Sequence, residues 1–403
     1  MKPVLQMMTS SLLGILLVLF QCGFSGDVWA QSTNQGSDTK QGSDTKDTTN
    51  SEESNVDLAY QRFVDYTREL AVNKQKISRM NVSMPIGFPE KLRKMEQQVK
   101  ALQIRNQQIT KDLLPTALAS FEQFPNTQET ITNYLMQQLK LQLTGKQFRS
   151  IPFDPFAAKE SYQRLIDGGV DLPALSLFGY RIHYLLNELE PARVALIEAA
   201  KKGAPIQPAM MEDLRTRAVN MNEEMKLRQQ DSQNECPQVQ IETDKGTIVV
   251  ELFEDQAPNS VANFIALVEA GFYNGRVFYQ VNITEFVIAG SPSDDGKSEP
   301  KFQIASEAAN ENARKHFTGT LAFIPNGEGH SGSRFLITKQ TSPNFDGKLT
   351  AFGRVIQGLE NIYQIQVVDL TRGTLKNQPQ GTTIQKMTVV RKRDKEYKPE
   401  RIN

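Results

Sequence analysis

The chain has 403 residues, more than one domain usually holds, so two folded units with tails are expected. Its 46 Lys and Arg balance its 46 Asp and Glu, which excludes the basic excess of a nucleic-acid-binding protein. The run Arg391-Lys392-Arg393 near the end reads as part of a solvated, charged tail over 392–403. With Cys22 and Cys236 as its two cysteines, the chain cannot be a disulfide-stapled scaffold.

In chain order, Lys2 precedes an apolar run from Leu12 to Phe20, and Val28-Trp29-Ala30 puts small residues where a signal peptidase cuts. Residues 1–30 therefore read as an export signal, giving a periplasmic or secreted protein. The run is too short to span a hydrocarbon core of about 30 Å, so no membrane span is expected after cleavage. Leu19-Phe20-Gln21-Cys22 is a poor lipoprotein box, because Gln21 takes the place of a small residue, and lipid anchoring at Cys22 is the weaker alternative. Residues 31–54 repeat Gln35–Lys40 as Gln41–Lys46 and hold almost nothing apolar to bury. They read as a disordered tether.

Residues 55–203 read as a helical domain. Leu58, Phe63, Tyr66 and Leu70 form one stripe, and Leu92, Met95, Val99, Leu102, Asn106, Ile109 and Leu113 form a second at steps of three and four. Two helices packed as a hairpin satisfy both. Asn106 is a polar interruption of the kind that fixes register at some loss of stability. From about 126 the pattern is of short helices with Pro155, Pro173 and Pro191 near their starts. Residues 174–189 and 192–200 fit a tetratricopeptide-like pair, but two imperfect units are fewer than a solenoid needs, so a compact bundle is expected. Such a domain suggests a protein partner. Residues 204–236 read as a charged helical linker ending at Cys236-Pro237.

In the stretch that follows, residues 237–391, the period changes. Val239 and Ile241, then Ile248, Val250 and Leu252, alternate around Asp244-Lys245-Gly246 as a β-hairpin. Pro258 opens a helical run through Val261, Phe264, Ile265 and Val268 that stops at Gly271. Beyond it come Val277-Phe278-Tyr279-Gln280-Val281, Phe286-Val287-Ile288-Ala289-Gly290, Gly319 to Phe323, Gly332 to Ile337, Phe345-Asp346-Gly347-Lys348 and Ala351 to Val355. Short strands with turn signals between them point to an all-β sheet or barrel.

In order and spacing these segments resemble the cyclophilin family of peptidyl-prolyl isomerases over about two fifths of the chain. The resemblance implies a closed eight-stranded antiparallel barrel, which behind the all-α hairpin and bundle read above makes an α+β multidomain protein. Two helices would cap the barrel, the second at Leu359–Gln366, and Val389 would pair against the first strand. It implies isomerisation of proline-containing polypeptide clients, with no cofactor and no metal.

Several site positions depart from the family pattern. Gln280 stands where the family has an Arg donor, Ala289 replaces a Gln, Leu336 a Phe, Asn344 a Trp and Leu349 a His. Arg334 stands where the family has a Gln on a neighbouring strand. One arrangement this leaves open is an exchange, in which Arg334 supplies the guanidinium and Gln280 supports it. The alternative is a surface arginine over an inactive site. By the same resemblance Phe286, Val287, Ala289, Ile324, Pro325, Asn326, Leu336, Phe345 and Leu349 line the substrate slot. Two functional readings stay open: an exported isomerase that assists folding, and an inactive peptide-binding or chaperone module.

Other patterns lead elsewhere. Gly327 to Gly332 spells a G-x-G-x-x-G string, yet it leads into a strand rather than opening a helix that could hold a phosphate. His183, His316 and His330 lack ligand spacing, and Asp294-Asp295-Gly296 reads as a solvated turn rather than a calcium loop.

Overall fold

The computed structural model describes residues 57–82, 89–144, 153–293, 296, 298, 300–326, 328–366 and 381–402. The expected signal, the tether and the Asp294-Asp295 turn lie outside them. Helices α1 (Leu58–Val82) and α2 (Pro89–Gln123) run antiparallel. Asp57 caps α1 through Tyr60 N–H at 2.7 Å and accepts from Ser120 Oγ at 2.5 Å at the hairpin's base. Phe63 meets the Tyr134 ring edge-on at 5.0 Å, and Ile109 and Leu113 are buried. Asn106 accepts from Asn73 Nδ2 at 3.0 Å, so the polar interruption on α2 is matched by one on α1. Leu58 leaves the expected stripe and is exposed, because Asp57 rather than Leu58 turns inward.

The bundle continues with α3 (Glu129–Thr144), α4 (Pro155–Asp167), α5 (Pro173–Leu185) and α6 (Leu189–Lys201). Asp154 caps α4, its carboxylate taking the Phe156 and Ala157 N–H groups at 3.0 and 3.1 Å. Tyr180 and Tyr184 of α5 pack on the small Ala192, Ala195 and Ala199 of α6. Pro191 lies in the first turn of α6, near its start as expected.

Helix α7 (Pro208–Gln233) is not a free linker. Its Glu224 and Asp231 are buried against the sheet and hold Arg314, whose side chain has no exposed surface. Arg354 joins them, reaching Asp231 at 3.2 Å and Glu251 at 2.6 Å.

The described strands are β1 (Gln238–Thr243), β2 (Gly246–Leu252), β3 (Gln280–Val281), β4 (Phe286–Ala289), β5 (Thr320–Pro325), β6 (Ser331–Thr338), β7 (Thr350–Gln357) and β8 (Ile384–Arg391). They form one antiparallel sheet in the order β3-β4-β6-β5-β7-β2-β1-β8. Its concave side encloses α8 (Pro258–Glu269), whose Phe264 lies against Tyr273, Phe323, Phe335 and Phe352 at centroid distances of 5.0–6.4 Å. Val389 pairs with Val239, placing β8 beside β1.

Full closure of the barrel is not realised as a continuous ladder. β3 is two residues long, so the two ends of the sheet meet through one bridge, Val277 to Thr383, and neighbouring bonds such as Gly275 N–H to the Ile384 carbonyl at 2.8 Å. The result is a curved half-barrel. Helix α9 (Leu359–Tyr363) is shorter than the expected Leu359–Gln366.

The C-terminal segment is not a frayed tail. Arg393 pairs with Asp255 at 2.7 Å, Tyr397 donates to Glu254 at 3.0 Å, and Ile402 bridges to Gln303. Cys236 is buried, and burial pushes its thiol up to about 12. Residues from Asp57 onward make one compact unit.

Candidate functional site

Strand alternation sorts the site residues onto two faces. Val281, Val287, Ile337 and Leu321 occupy one cross-strand row, and all four pack on or within the enclosed core. The adjacent row is Gln280, Ile288, Leu336 and Ala322, which faces the other way. Phe286 and Arg334 share that outer face, because each lies two residues from a member of the row on its own strand. Ile288, Leu336 and Phe286 are 7%, 3% and 2% exposed, whereas Gln280 is open to solvent.

One wall of this surface is the 3₁₀ turn Pro343–Phe345. The Phe345 ring stands 6.1 Å from Phe286 and 5.8 Å from His316, tying the turn to β4 and to the loop before β5. Asp346 holds the same turn, its carboxylate accepting the His316 backbone N–H at 2.9 Å and lying 2.8 Å from His316 Nδ1. Leu349 follows half-buried, its N–H bonded to the Phe345 carbonyl at 3.0 Å.

The opposite wall is the end of β5. Ile324 lies two residues beyond Ala322 and so shares the outer face, where it is half-buried, just before a register shift between Phe323 and Pro325. Asn326 is occupied within its own loop: its side chain donates to Gln303 at 2.9 Å and accepts the Glu328 and His330 N–H groups. Its amide therefore shapes the loop more than it offers a free donor.

The structure does not bring Val287 and Ala289 to this surface. Both have no exposed area and belong to the core cluster, since a strand that turns Phe286 and Ile288 outward must turn its alternate residues inward. Ile288 takes their place. The alternation Phe286, Ile288 was the signal that would have found it, whereas nothing in the sequence links His316 to Phe345, 29 positions away.

Arg334 is half-buried and its Nη1 donates to the Gly296 carbonyl at 3.1 Å. Gly296, at φ +72°, has no room for a side chain because the Tyr279 ring covers it. Gly290, at φ +87°, lets β4 pass so close to β6 that a Cβ would run into the Ser333 carbonyl. These contacts bring Gly290 and Gly296 onto β6 beside Arg334. Near the β3–β4 turn, burial holds the Glu285 carboxyl above its usual range. Chemically, the outer face offers an apolar floor with a guanidinium and a carboxamide at its edges. Among the described residues no group of three His, Cys, Asp or Glu side chains could hold a metal.

The helical part reaches the back of the Phe345 wall. Thr341 donates to Asn187 at 2.8 Å, Thr318 to the Leu185 carbonyl at 2.9 Å, and Arg181 to Gln340 at 3.3 Å. A small cavity of about 50 Å³ remains between α7 and this wall, lined by Asp213, Arg217, Asn220, His316 and Asp346 among others.

Residues 238–389 match the sequence model of the family described as cyclophilin type peptidyl-prolyl cis-trans isomerase/CLD. A peptidyl-prolyl cis-trans isomerase of Synechococcus elongatus is 38% identical over 114 residues, 28% of this chain and 77% of that protein. The peptidyl-prolyl cis-trans isomerase-like 3 of Gallus gallus is 33% identical over 141 residues, 34% of this chain and 87% of that protein. Among solved structures, a cyclophilin type isomerase of Cryptosporidium parvum aligns with 39% of this chain and 99% of its own at 23% identity, with a TM-score of 0.34. On the extent of these sequence matches, the chain belongs to the cyclophilin-type peptidyl-prolyl cis-trans isomerase family.

Proposed function

We propose that this chain isomerises prolyl bonds in exported polypeptides through a rearranged donor pair, Arg334 and Gln280. Rotating a prolyl amide gives up its conjugation, a barrier of about 20 kcal/mol, and returns a lone pair to the nitrogen. A donor that reaches this nitrogen binds the twisted amide better than the planar one, which is the condition for acceleration. One charge-assisted hydrogen bond contributes about 1.5–3 kcal/mol, or one to two decades of rate. The observation that carries the reading is the shared outer face of Gln280 and Arg334, flanking the apolar floor of Ile288 and Leu336. The export pattern in residues 1–30 supports the choice of clients.

A coupled prolyl-peptide assay tests it. Arg334→Ala should lower kcat/KM by about ten- to a hundredfold with little change in KM, and Arg334→Lys should recover part of the loss. Unchanged turnover in Arg334→Ala would overturn the exchange. One contact favours a second reading, a peptide-binding module without turnover: the Arg334–Gly296 hydrogen bond holds the guanidinium on a loop. In that case the wild-type chain binds a proline peptide saturably and leaves its relaxation rate unchanged.

A further inference from the structure

We propose that the cavity between α7 and the Phe345 wall is a binding site for inorganic phosphate. The proposal does not rest on the isomerase reading. It starts from a cation with open donors: Arg217 of α7 is buried, and among the described residues its Nε and Nη1 have no hydrogen-bond partner. Its guanidinium lies 3.6 Å over the Tyr184 ring, which covers the face of the group and leaves its N–H edges unfilled. Asp213 is 3.6 Å from Nε, beyond hydrogen-bond reach, and its carboxylate already accepts from Tyr184 Oη. Enclosed donors without acceptors are destabilising, and an oxyanion satisfies them through charge-assisted hydrogen bonds.

The neighbourhood is short of negative charge. Arg181 lies over the same Tyr184 ring, 6.0 Å from its centroid, and among the described residues its side chain donates to the neutral Gln340 at 3.3 Å rather than to a carboxylate. Burial pulls both guanidiniums below their usual range. Lys315, also on the lining, donates to Asn220 Oδ1 and lies 3.6 Å from Glu223. Across the cavity His316 is 1% exposed; Asp346 engages its backbone N–H and its Nδ1, while its Nε2 has no partner among the described residues. The unfilled nitrogens thus belong to two residues, one on a helix and one on the loop before β5, that line one cavity.

The chemistry of the lining selects the ligand. A volume of about 50 Å³ has room for about three or four waters or for one small ion, but not for a molecule to which a phosphoryl group is esterified. Arg217 needs acceptors, Asp213 offers only acceptors, and His316 Nε2 accepts when the ring is neutral and donates when it is charged. Inorganic phosphate near neutral pH carries both P–O acceptors and at least one P–OH donor, so it answers Arg217 on one side and Asp213 or His316 on the other. Sulfate has no proton to give and meets Asp213 as a like charge. Asp213 and Thr216 are exposed, which puts the mouth of the cavity on their side. A bound ion would touch His316, whose ring stands 5.8 Å from Phe345, and so would brace the wall of the apolar floor.

Titration of the full chain with inorganic phosphate, followed by the histidine ring protons in NMR, tests the proposal. The chain has three histidines, and the signal lost in His316→Gln is that of His316. At fixed pH and ionic strength it should shift saturably, the change complete below about 10 mM phosphate, while the His183 and His330 signals stay in place. Sulfate and glycerol 1-phosphate should each bind about tenfold more weakly or worse, the first for want of a proton to share and the second for want of room. Arg217→Met should weaken phosphate binding by about tenfold or more. Asp213→Asn, on the exposed rim and still able to accept from Tyr184, should fold as the wild type does and lower the preference for phosphate over sulfate by about tenfold. No shift at His316, or an unchanged phosphate affinity in folded Arg217→Met, would overturn the proposal and leave the cavity to water. A wild type that binds sulfate equally well, or a preference untouched by Asp213→Asn, would overturn it by reducing the site to unselective positive charge. Equal affinity for glycerol 1-phosphate would overturn it in favour of a phosphoryl group carried on a larger molecule.

Discussion

Facing is what decides a residue's part in this site, and it can be tested one side chain at a time. Val287 and Ile288 are neighbours of similar size on β4, one in the core cluster and one on the outer row. Val287→Ala removes methyl groups from a packed interior and should cost about 2 kcal/mol in urea unfolding, with KM for a prolyl peptide unchanged. Ile288→Ala should raise KM several-fold as well as lowering stability, because its side chain is 7% exposed; the change in KM is what separates the two variants. The reverse pattern would put the slot on the other face. The family motif located this strand correctly in the chain, but a motif aligns positions without saying which way they point. Phe286 and Leu336 were legible because they obey both the motif and the alternation; Val287 and Ala289 obey the motif alone. The Arg334–Gln280 pair was readable as two departures from one pattern, and the register places both on one face.

The element that departs furthest from its sequence reading is α7. Its alternating charges read as a solvated linker, yet Glu224 and Asp231 lie seven residues apart on one face and both are buried. Arg314 answers them at 2.8 and 3.1 Å, its guanidinium 4.0 Å over the Phe253 ring. Burial works against the charge on Glu224, but the hydrogen bonds and charge of Arg314 outweigh it and hold the carboxyl below its usual range. Removing Arg314 leaves Glu224 and Asp231 buried with only Arg228 and Arg354 to answer them, so Arg314→Ala should cost about 3–5 kcal/mol. Arg314→Lys should not restore it, because an ammonium cannot fork between two carboxylates. Because Glu224's folded pKa lies below its unfolded value, its contribution is present above the unfolded value of 4.5 and is lost as pH falls through the folded one. Thermal unfolding of the wild type at decreasing pH should show that loss, and Arg314→Ala should show less of it. Nothing local in the sequence could join Arg314 to carboxylates more than 80 positions earlier; the seven-residue spacing of Glu224 and Asp231 was the visible half of the pattern.

At the scale of the molecule, the helical and sheet regions were legible separately because each has its own period, 3.6 and two. The seam between them was not, because it is made of single polar side chains that leave no period: Thr318 on the Leu185 carbonyl, Thr341 on Asn187, Gln364 on Asp154. Lys339 lies in the same seam. Its backbone N–H donates to the Glu285 carbonyl at 2.7 Å, its carbonyl accepts from Tyr363 Oη at 2.5 Å, and its side chain is enclosed. Burial pushes its ammonium down from 10.5 to about 8, with the charge of Asp154 only partly opposing this. Below about pH 8 the folded protein bears the full cost of a buried cation. Between about 8 and 10.5 the unfolded chain holds more protons at this site, so the cost is relieved as pH rises. The total is on the order of 3 kcal/mol at 1.36 kcal/mol per pKa unit. Cys236, pushed up to about 12, acts in the opposite sense once pH passes its ordinary value of 9.0. The clear comparison is therefore between wild type and Lys339→Met at each pH. Lys339→Met should be more stable at pH 7 by urea unfolding, and its advantage should shrink steadily from pH 8 to 10. An advantage that stays constant across that range would mean that Lys339 keeps its proton on folding, with its charge paired inside the seam.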